Sequence, residues 1–204
     1  METAHVFAIG VLLAWLAGIR AYLTVFGVGI AGLLGWLALP PALQVAQSPW
    51  VLGVSGALAV GEFFADKLPG VDSVWDLLQT LLRIPAGAFL AAATLSPDGT
   101  LGTGMLATGA GVALASHALK AGTRGVLNVS PEPVTNWVAS LSEDALVVGA
   151  LLLAFHHPWL ALVAAVTVSL GLALLAWWLG RHVLRGMARL RGRGRAPSPG
   201  SGRP

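Results

Sequence analysis

Long runs of apolar residues are the feature that most constrains how this chain can fold. They are about 20 residues long, which is the length that an α-helix needs to cross the hydrocarbon core of a bilayer. Charged residues make up only 10% of the 204 positions, whereas a soluble domain carries about 25%. The sequence therefore predicts an all-α, polytopic membrane helix bundle with transmembrane helices and not a soluble domain.

About six transmembrane helices are predicted from these runs. Prolines at 40, 41 and 49, the Ser-Pro-Asp-Gly segment at 96–99 and the His-His-Pro segment at 156–158 provide turns between them. The first apolar stretch, 5–38, is too long for one span and too short for two, and Gly18 and Arg20 interrupt it. Either one broken helix or an interfacial helix followed by a span fits this stretch. The predicted spans are 14–38, 49–66, 74–95, 102–120, 134–155 and 158–180.

The basic residues are distributed unevenly along the chain. Seven of the twelve Lys and Arg residues lie in 181–204, so the membrane body, 1–180, is net acidic. Under the positive-inside rule, this tail and the loops that carry Lys67, Lys120 and Arg124 face the cytoplasm. The sequence thus predicts a multi-pass inner-membrane protein with both termini in the cytoplasm. The tail is expected to be partly disordered and to contact anionic membrane lipids, with no nucleic acid as partner.

A weak internal repeat relates 49–95 to 102–155. Gly56 precedes Glu62 by six positions, as Gly111 precedes His117. This spacing predicts two repeated helical hairpins, each with a polar cytoplasmic loop that is either a plain connection or a re-entrant segment. Repeats of this kind frame a central site in many transporters. Since so few helices enclose little space, we expect a homo-oligomer.

The first group of candidate functional residues is the acidic segment EFFADKLPGVDSVWD at 62–76. Glu62 and Asp66 are four residues apart and share one helix face. Asp72 and Asp76 either belong to the same site or serve only to cap and charge the start of the next helix. Capping does not explain Glu62, because it lies inside an apolar run.

The second group lies in and after the segment SPEPVTNW at 130–137. Glu132 stands between two prolines, and Asn136 is placed to cap the helix that follows. Glu143 and Asp144 fall about two turns into that helix, where charges are costly in lipid. This adjacent carboxylate pair must therefore face the bundle interior, bind protons or meet a cation.

Arg83 is the cation that we expect beside these carboxylates, because the repeat places it at the same depth as Asp144. Arg20, in the broken first span, is a second candidate. His117 and Lys120 lie near the cytoplasmic end of the fourth span. We expect Lys120 to extend its ammonium group out to the membrane surface.

Three classes of function fit these residues. The first is a small transporter or flippase-like permease, with proton coupling as one form, acting on an unknown small molecule, lipid or ion. The second is an intramembrane enzyme that acts on lipid head groups with the 62–76 carboxylates and His117. The third is a scaffold or accessory subunit whose buried charges fix helix packing. Enzyme motifs are missing and cysteine is absent, so no cofactor or metal is predicted and an enzyme is the weaker reading.

The motifs resemble a known family. GIRAYL at 18–23, SPW at 48–50, the 62–76 segment, SPEPVTNW and the Glu-Asp pair at 143–144 are similar to the bacterial membrane family called domain of unknown function 4126. The resemblance covers roughly residues 15–180. It implies a multi-pass inner-membrane protein and no particular activity. Members of the family often carry Asn where this chain has Arg20, which favours Arg83 as the functional cation.

Overall fold

Six long helices make up most of the chain in the computed structural model, which describes residues 3–68, 71–96, 98–127 and 133–193. Within these ranges, the side chains of 3, 71–74, 76–77, 126–127, 133, 136, 183–184 and 186–193 are not described. A 3₁₀ helix, Pro41–Gln47, precedes the second long helix. The described residues contain no strand, which confirms the all-α class. The long helices are α1 (Thr3–Leu33), α2 (Pro49–Ala65), α3 (Val71–Thr94), α4 (Thr103–Leu127), α5 (Pro133–His156) and α6 (Pro158–Arg193).

Several of the helices are suited to crossing a membrane. Among the described residues, Ala4–Leu33, Trp137–His156 and Pro158–His182 are long and apolar enough. The 3₁₀ helix and α2, bent by 64° relative to each other, form a fourth candidate if they are one broken span. The helices α3 and α4 are not in this set, and both carry buried polar side chains. The helical membrane bundle is thus supported, while the count of six spans and the hairpin repeat stay predictions.

Proline sets the start of three helices. It occupies the first position of α2, α5 and α6, where the backbone N–H that proline lacks has no helical partner to lose. Ser48 caps α2, because its hydroxyl accepts a hydrogen bond from the Val51 amide at 3.3 Å. The predicted spans 49–66 and 134–155 coincide with α2 and α5 to within one residue. The predicted span 158–180 agrees with the apolar stretch Pro158–His182, and α6 itself continues beyond it to Arg193.

The first apolar stretch is one broken helix, which decides between the two predicted alternatives. Arg20 interrupts α1 with a non-helical backbone (φ −144°, ψ 81°). The predicted range 14–38 is wrong at both ends, because α1 begins at Thr3 and ends at Leu33. Apolar residues continue past Leu33, but Gly35 takes a positive φ of 70° and closes the helix. The Trp36 amide then donates to the Ala31 carbonyl at 2.9 Å, as in a Schellman motif.

Helix α1 lies at the centre of the bundle and packs against each of the other five long helices. In its most apolar stretch 72% of the residues are buried, against 22% for Trp137–His156 and 11% for Pro158–His182. Small residues allow α1, α3 and α4 to cross closely. A Cβ added to Gly18 would lie 2.3 Å from the Ala113 carbonyl oxygen, and one added to Gly109 would lie 2.6 Å from the Gly87 carbonyl oxygen. The centre of the fold is therefore a tight three-helix contact around the break in α1.

Candidate functional site

A cluster of buried charges lies beside the break in α1, and we call it the ion network. It joins side chains of α1, α3, α4 and α5 with the C-terminal end of α2. Among the described side chains it contains four cations and four carboxylates, so their formal charges balance. Its members are Arg20, Glu62, Asp66, Arg83, Lys120, Arg124, Glu143 and Asp144.

Arg20 is the hub of the ion network. Its guanidinium forms an ion pair with Asp66, and its Nε lies 3.1 Å from Asp144 Oδ1. Its Nη2 lies 3.5 Å from Glu143 Oε2 and donates to the Ser140 hydroxyl at 3.1 Å. The break in α1 turns a fully buried arginine toward carboxylates from two other elements. Which of Arg20 and Arg83 is the functional cation stays a prediction.

Asp66 and Glu143 connect Arg20 to the two cations of α4. Lys120 Nζ lies 3.5 Å from Asp66 Oδ2 and 3.3 Å from Glu143 Oε2. Arg124 Nε donates to Glu143 Oε1 at 2.9 Å, and its Nη1 donates to the Asp66 backbone carbonyl at 3.3 Å. Each of these two carboxylates therefore contacts three cations, which is the arrangement that makes burying a charge tolerable.

The break in α1 is also held by α4. Lys120 Nζ donates to the carbonyl of Ile19, next to the break, at 3.3 Å. On the other side, the Thr24 hydroxyl donates to the Arg20 carbonyl at 2.7 Å. Interruptions of helices inside a membrane are tolerated where neighbouring side chains satisfy the freed backbone groups. The ion network and the broken helix are thus one structural unit.

Arg83 forms the second arm of the network, on α3. Its Nη2 donates to Glu62 Oε1 at 2.6 Å, and its Nη1 contacts His117 Nδ1 at 3.0 Å. Because a guanidinium can only donate, His117 Nδ1 is the acceptor and the neutral ring carries its proton on Nε2. That nitrogen lies 2.7 Å from the Thr80 hydroxyl. Both ring nitrogens of His117 are therefore engaged, so it is not poised as a metal ligand or an acid–base group.

Lys67 lies beside the network but makes different contacts. Its ammonium group donates to the Phe63 carbonyl at 2.8 Å and sits 3.0 Å above the centroid of the Phe63 ring. The Ser140 hydroxyl is 3.4 Å away. Burial lowers the pKa of Lys67 below its usual range, and the charge of Asp144 opposes that shift. The lysine is thus a buried cation that carries an electrostatic cost.

Burial is nearly complete across the ion network, with one exception. Arg20, Glu62, Asp66 and Arg83 are at most 1% exposed. The side chains of Glu143 and Asp144 are 16% and 20% exposed. The network is therefore accessible mainly at the α5 carboxylates.

An amphipathic cavity of about 310 Å³ reaches the ion network from one side. Its walls come from α1, α4, α5 and α6, and we call it the amphipathic cavity. Most of the wall is apolar, and its charged lining residues are Lys120 and Glu143, which belong to the ion network. Val138 and Leu175, which also line it, are exposed apolar residues. Its other lining residues include Trp15, Ser116, Thr123, Ala139, Ser142 and Leu172.

A second cavity, of about 400 Å³, lies between α1, α2 and α3, and we call it the apolar cavity. None of its lining residues in the described part of the chain is charged. Tyr22, Val25, Trp50, Val54, Leu82 and Ala86 are among them. The larger of the two cavities therefore has no charged group with which to select a ligand.

Six of the ten predicted site residues come together in or beside the ion network. They are Glu62, Asp66, Arg83, His117, Glu143 and Asp144. Glu132 lies outside the described residues, as do the side chains of Asp72, Asp76 and Asn136. For these four the structure gives no placement, and their roles stay predictions.

Sequence reasoning did not predict the burial of three cations. Lys120 is 4% exposed and ion-paired, so it does not extend to the membrane surface. Arg124 is buried within α4 and not in a loop, and Lys67 lies in the connection after α2 as expected but is also buried. Asp144 pairs with Arg20, where Arg83 was expected. The signal that could have found the α4 cations is their spacing, since residues 117, 120 and 124 share one helix face.

The described fold is that of a helical membrane protein with a buried ion network and an amphipathic cavity. Among the described residues, no group of three or more His, Asp or Glu side chains is arranged to hold a metal ion. The chain belongs to the family described as "Domain of unknown function (DUF4126)", which matches residues 7–181. No curated protein matches the chain. No solved structure matches it either.

Proposed function

We propose that this protein is a small flippase-like permease that moves an amphipathic molecule through the membrane. The observation that carries the proposal is the amphipathic cavity, whose apolar wall contains Lys120 and Glu143 of the ion network. Ligand sites are typically concave and mostly apolar, with a few polar groups that orient the ligand. The cavity has this character, and its volume of about 310 Å³ is at the lower end of the usual range.

The position of the cavity supports a route from the lipid phase. Its edge includes Val138, which is 62% exposed, and Leu175, which is 43% exposed. Exposed apolar side chains in a helical membrane protein face lipid tails. An amphiphile can therefore enter sideways, with its chain against apolar wall residues and its polar group toward Lys120 and Glu143.

The proposed topology has six spans in an inner membrane, with both termini in the cytoplasm. The loop cations support this topology less than the sequence predicts, because Lys67, Lys120 and Arg124 are buried. The proposed topology rests on the seven arginines of 181–204 and on the connections near 40–48, 96–101 and 156–158, which contain no Lys or Arg. In this topology the ion network lies at the cytoplasmic ends of α2 and α4, level with Arg83 and Glu143 near the middle of α3 and α5.

Proton coupling through the carboxylates is part of the proposal. Ionisable residues at such depth are costly in lipid and commonly mark a pathway for ions or protons. Glu143 and Asp144 connect the cavity side of the network to Arg20 and Asp66. Protonating one of them would release Arg20 and loosen the hold on the break in α1. A homo-oligomer, which would enclose more of the route, is also proposed.

A scaffold is the second candidate, and one observation favours it. The four cations and four carboxylates of the ion network pair with one another, so the cluster can serve helix packing alone. For an enzyme acting on lipid head groups we find no such support, because His117 has both nitrogens engaged.

Lipid translocation in proteoliposomes tests the proposal. The probe is a phosphatidylethanolamine labelled with a fluorophore that dithionite bleaches only in the outer leaflet. In protein-free vesicles dithionite bleaches half of the label. In vesicles with wild-type protein it should bleach more than half. Glu143→Gln should slow translocation about tenfold, in keeping with a loss of roughly 1.4 kcal/mol. Asp98→Asn is the matched control, because Asp98 is an exposed carboxylate that accepts hydrogen bonds from Thr100 in its own turn.

The outcome separates the two candidates. Bleaching equal to that of protein-free vesicles, from wild-type protein that is monodisperse and folded, would overturn the permease and leave the scaffold. Loss of activity in both Glu143→Gln and Asp98→Asn would remove the ion network from the mechanism.

A further inference from the structure

We propose that residues 3–33 form a re-entrant helical hairpin, which enters and leaves the membrane on the same side, and that the ion network latches its tip. The two arms are residues 3–19 and 21–33, and the non-helical Arg20 is the tip between them. The inference goes beyond the proposed function and revises its topology in one respect. The spans are then α2 to α6, and the N-terminus lies on the side opposite to the basic tail, 181–204.

The first arm begins beside the turn between α5 and α6. His5 lines the same small cavity as His156, and its ring lies 6.4 Å from the Trp159 ring. Ten residues further along both helices, Trp15 Nε1 donates to the Ser169 hydroxyl at 2.9 Å. The sequence separation is 154 residues for both contacts, so the first arm runs parallel to α6 and away from that turn.

The second arm runs back toward the same turn. At the tip, Arg20 Nε lies 3.1 Å from Asp144 Oδ1 of α5. Seven residues later, a Cβ added to Gly27 would lie 2.7 Å from Leu151 Cδ1, seven residues further along α5. The second arm therefore runs parallel to α5, whose C-terminal end is at the turn where the first arm begins.

The lengths exclude a straight helix. In an unbroken helix, His5 and Gly27 would be about 33 Å apart along the axis. Their contacts on α5, His156 and Leu151, are only about 7.5 Å apart along that helix. The chain therefore reverses its direction at Arg20, inside the bundle.

Helix α2 gives an independent check on the second arm. Arg20 Nη1 lies 3.8 Å from Glu62 Oε1. Six residues later in α1, the Phe26 ring would lie 3.0 Å from a Cβ added to Gly56, which is six residues earlier in α2. The second arm and α2 are thus antiparallel neighbours, joined by the connection that contains the 3₁₀ helix.

The tip and the arms are held in different ways. Arg20 is the only Lys, Arg, Asp or Glu among residues 3–33. It pairs with Asp66 and Asp144, and Lys120 Nζ donates to the carbonyl of Ile19 beside it. The arms pack through apolar side chains and glycines. The polar contacts of the ion network therefore act on the tip and not on the arms.

Each arm forms part of the wall of one cavity. Trp15 and Ile19 of the first arm line the amphipathic cavity, and Tyr22 and Val25 of the second arm line the apolar cavity. A tip that is released from its latch can shift while both arms stay helical, and both walls move with it. The hairpin is in this way built as a gate, with the ion network as its latch.

Thiol labelling in intact cells tests the reversal, because the chain has no cysteine of its own. Ala4→Cys, His157→Cys and Ser198→Cys each introduce one thiol, at the start of the first arm, at the α5–α6 turn and in the basic tail. A membrane-impermeant maleimide is applied before and after the membrane is permeabilised. Ala4→Cys should label under the same condition as His157→Cys, and Ser198→Cys under the other. Labelling of Ala4→Cys together with Ser198→Cys would overturn the hairpin.

Hydrogen exchange of the purified protein in detergent tests the latch. Asp144→Asn removes one carboxylate partner of Arg20, so the backbone amides of the tip should exchange about tenfold faster while those of the arms stay unchanged. Asp98→Asn, which changes an exposed loop carboxylate, should exchange as wild type does. Unchanged exchange at the tip of Asp144→Asn, or an equal rise throughout α1, would overturn the latch. The expected labelling in a protein that does not translocate lipid would overturn only the proposed permease.

Discussion

The two cavities adjoin the same central helix but differ in what their walls offer a ligand. The amphipathic cavity contacts α1 before the break, at Trp15 and Ile19, and includes two members of the ion network. The apolar cavity contacts α1 after the break, at Tyr22 and Val25, and has no charged lining residue. The larger volume belongs to the apolar cavity. Volume alone therefore does not mark a site in a membrane protein, where gaps between helices are readily filled by lipid tails.

The largest effect is expected from removing the hub of the ion network. Arg20→Leu removes the arginine that pairs with Asp144 and one of the three cations that contact Asp66, and breaking a buried ion pair costs about 3–5 kcal/mol. The melting temperature in detergent should fall sharply. Leu82→Ala, on the wall of the apolar cavity, is the control and should change it little, because Leu82 is 52% exposed. An Arg20→Leu protein as stable as wild type would remove the network from the stability of the bundle.

The Glu62–Arg83 pair distinguishes packing from function. Single variants Glu62→Gln and Arg83→Met each leave a charge without its 2.6 Å partner. The double variant should lose about 1–3 kcal/mol less stability than the two single variants lose together, as is usual for residues in contact. Thermal melts of the four proteins measure this coupling. If the double variant also translocates lipid at the wild-type rate, the pair serves packing only.

Filling the two cavities with the same substitution should have unequal effects on translocation. Ala139→Leu narrows the amphipathic cavity and should slow translocation about tenfold, since small displacements at a binding site are costly. Ala86→Leu narrows the apolar cavity and should leave the translocation rate within about twofold of wild type. Overpacking should lower the stability of each variant by about 1–3 kcal/mol. The dithionite assay measures both rates. Equal slowing would show that overpacking, and not access to the charged wall, limits the reaction.

The smallest effect concerns pH and Lys67. Burial lowers the pKa of this lysine from 10.5, so the folded state disfavours its charged form. Between the lowered and the ordinary pKa, the unfolded chain binds more protons than the folded chain. The Lys67 contribution to stability therefore rises with pH across that window. The melting temperature of wild type minus that of Lys67→Met should increase as the pH is raised toward the ordinary lysine pKa of 10.5, and a flat or falling difference would contradict the lowered pKa.

Much of the fold was readable from the sequence, because apolar run length and proline position act locally. Pro49 and Pro158 start helices where the sequence places them. The end of α1 was misjudged because Gly35, inside an apolar run, adopts a positive φ that hydropathy does not register. The charged positions within and beside apolar runs predicted the candidate carboxylates of the site. Which cations meet them depends on how the helices pack around the break in α1, a break that the sequence offered only as one of two alternatives.

A single introduced cysteine tests the central claim most directly, because the chain contains no cysteine of its own. Ser142→Cys places one thiol at the amphipathic cavity, and Val54→Cys places one at the apolar cavity. Both proteins are modified to the same extent with a bulky maleimide and reconstituted with fluorescent phosphatidylethanolamine. The account predicts that modification at position 142 abolishes translocation while modification at 54 leaves it unchanged. Full translocation by the modified Ser142→Cys protein would contradict it.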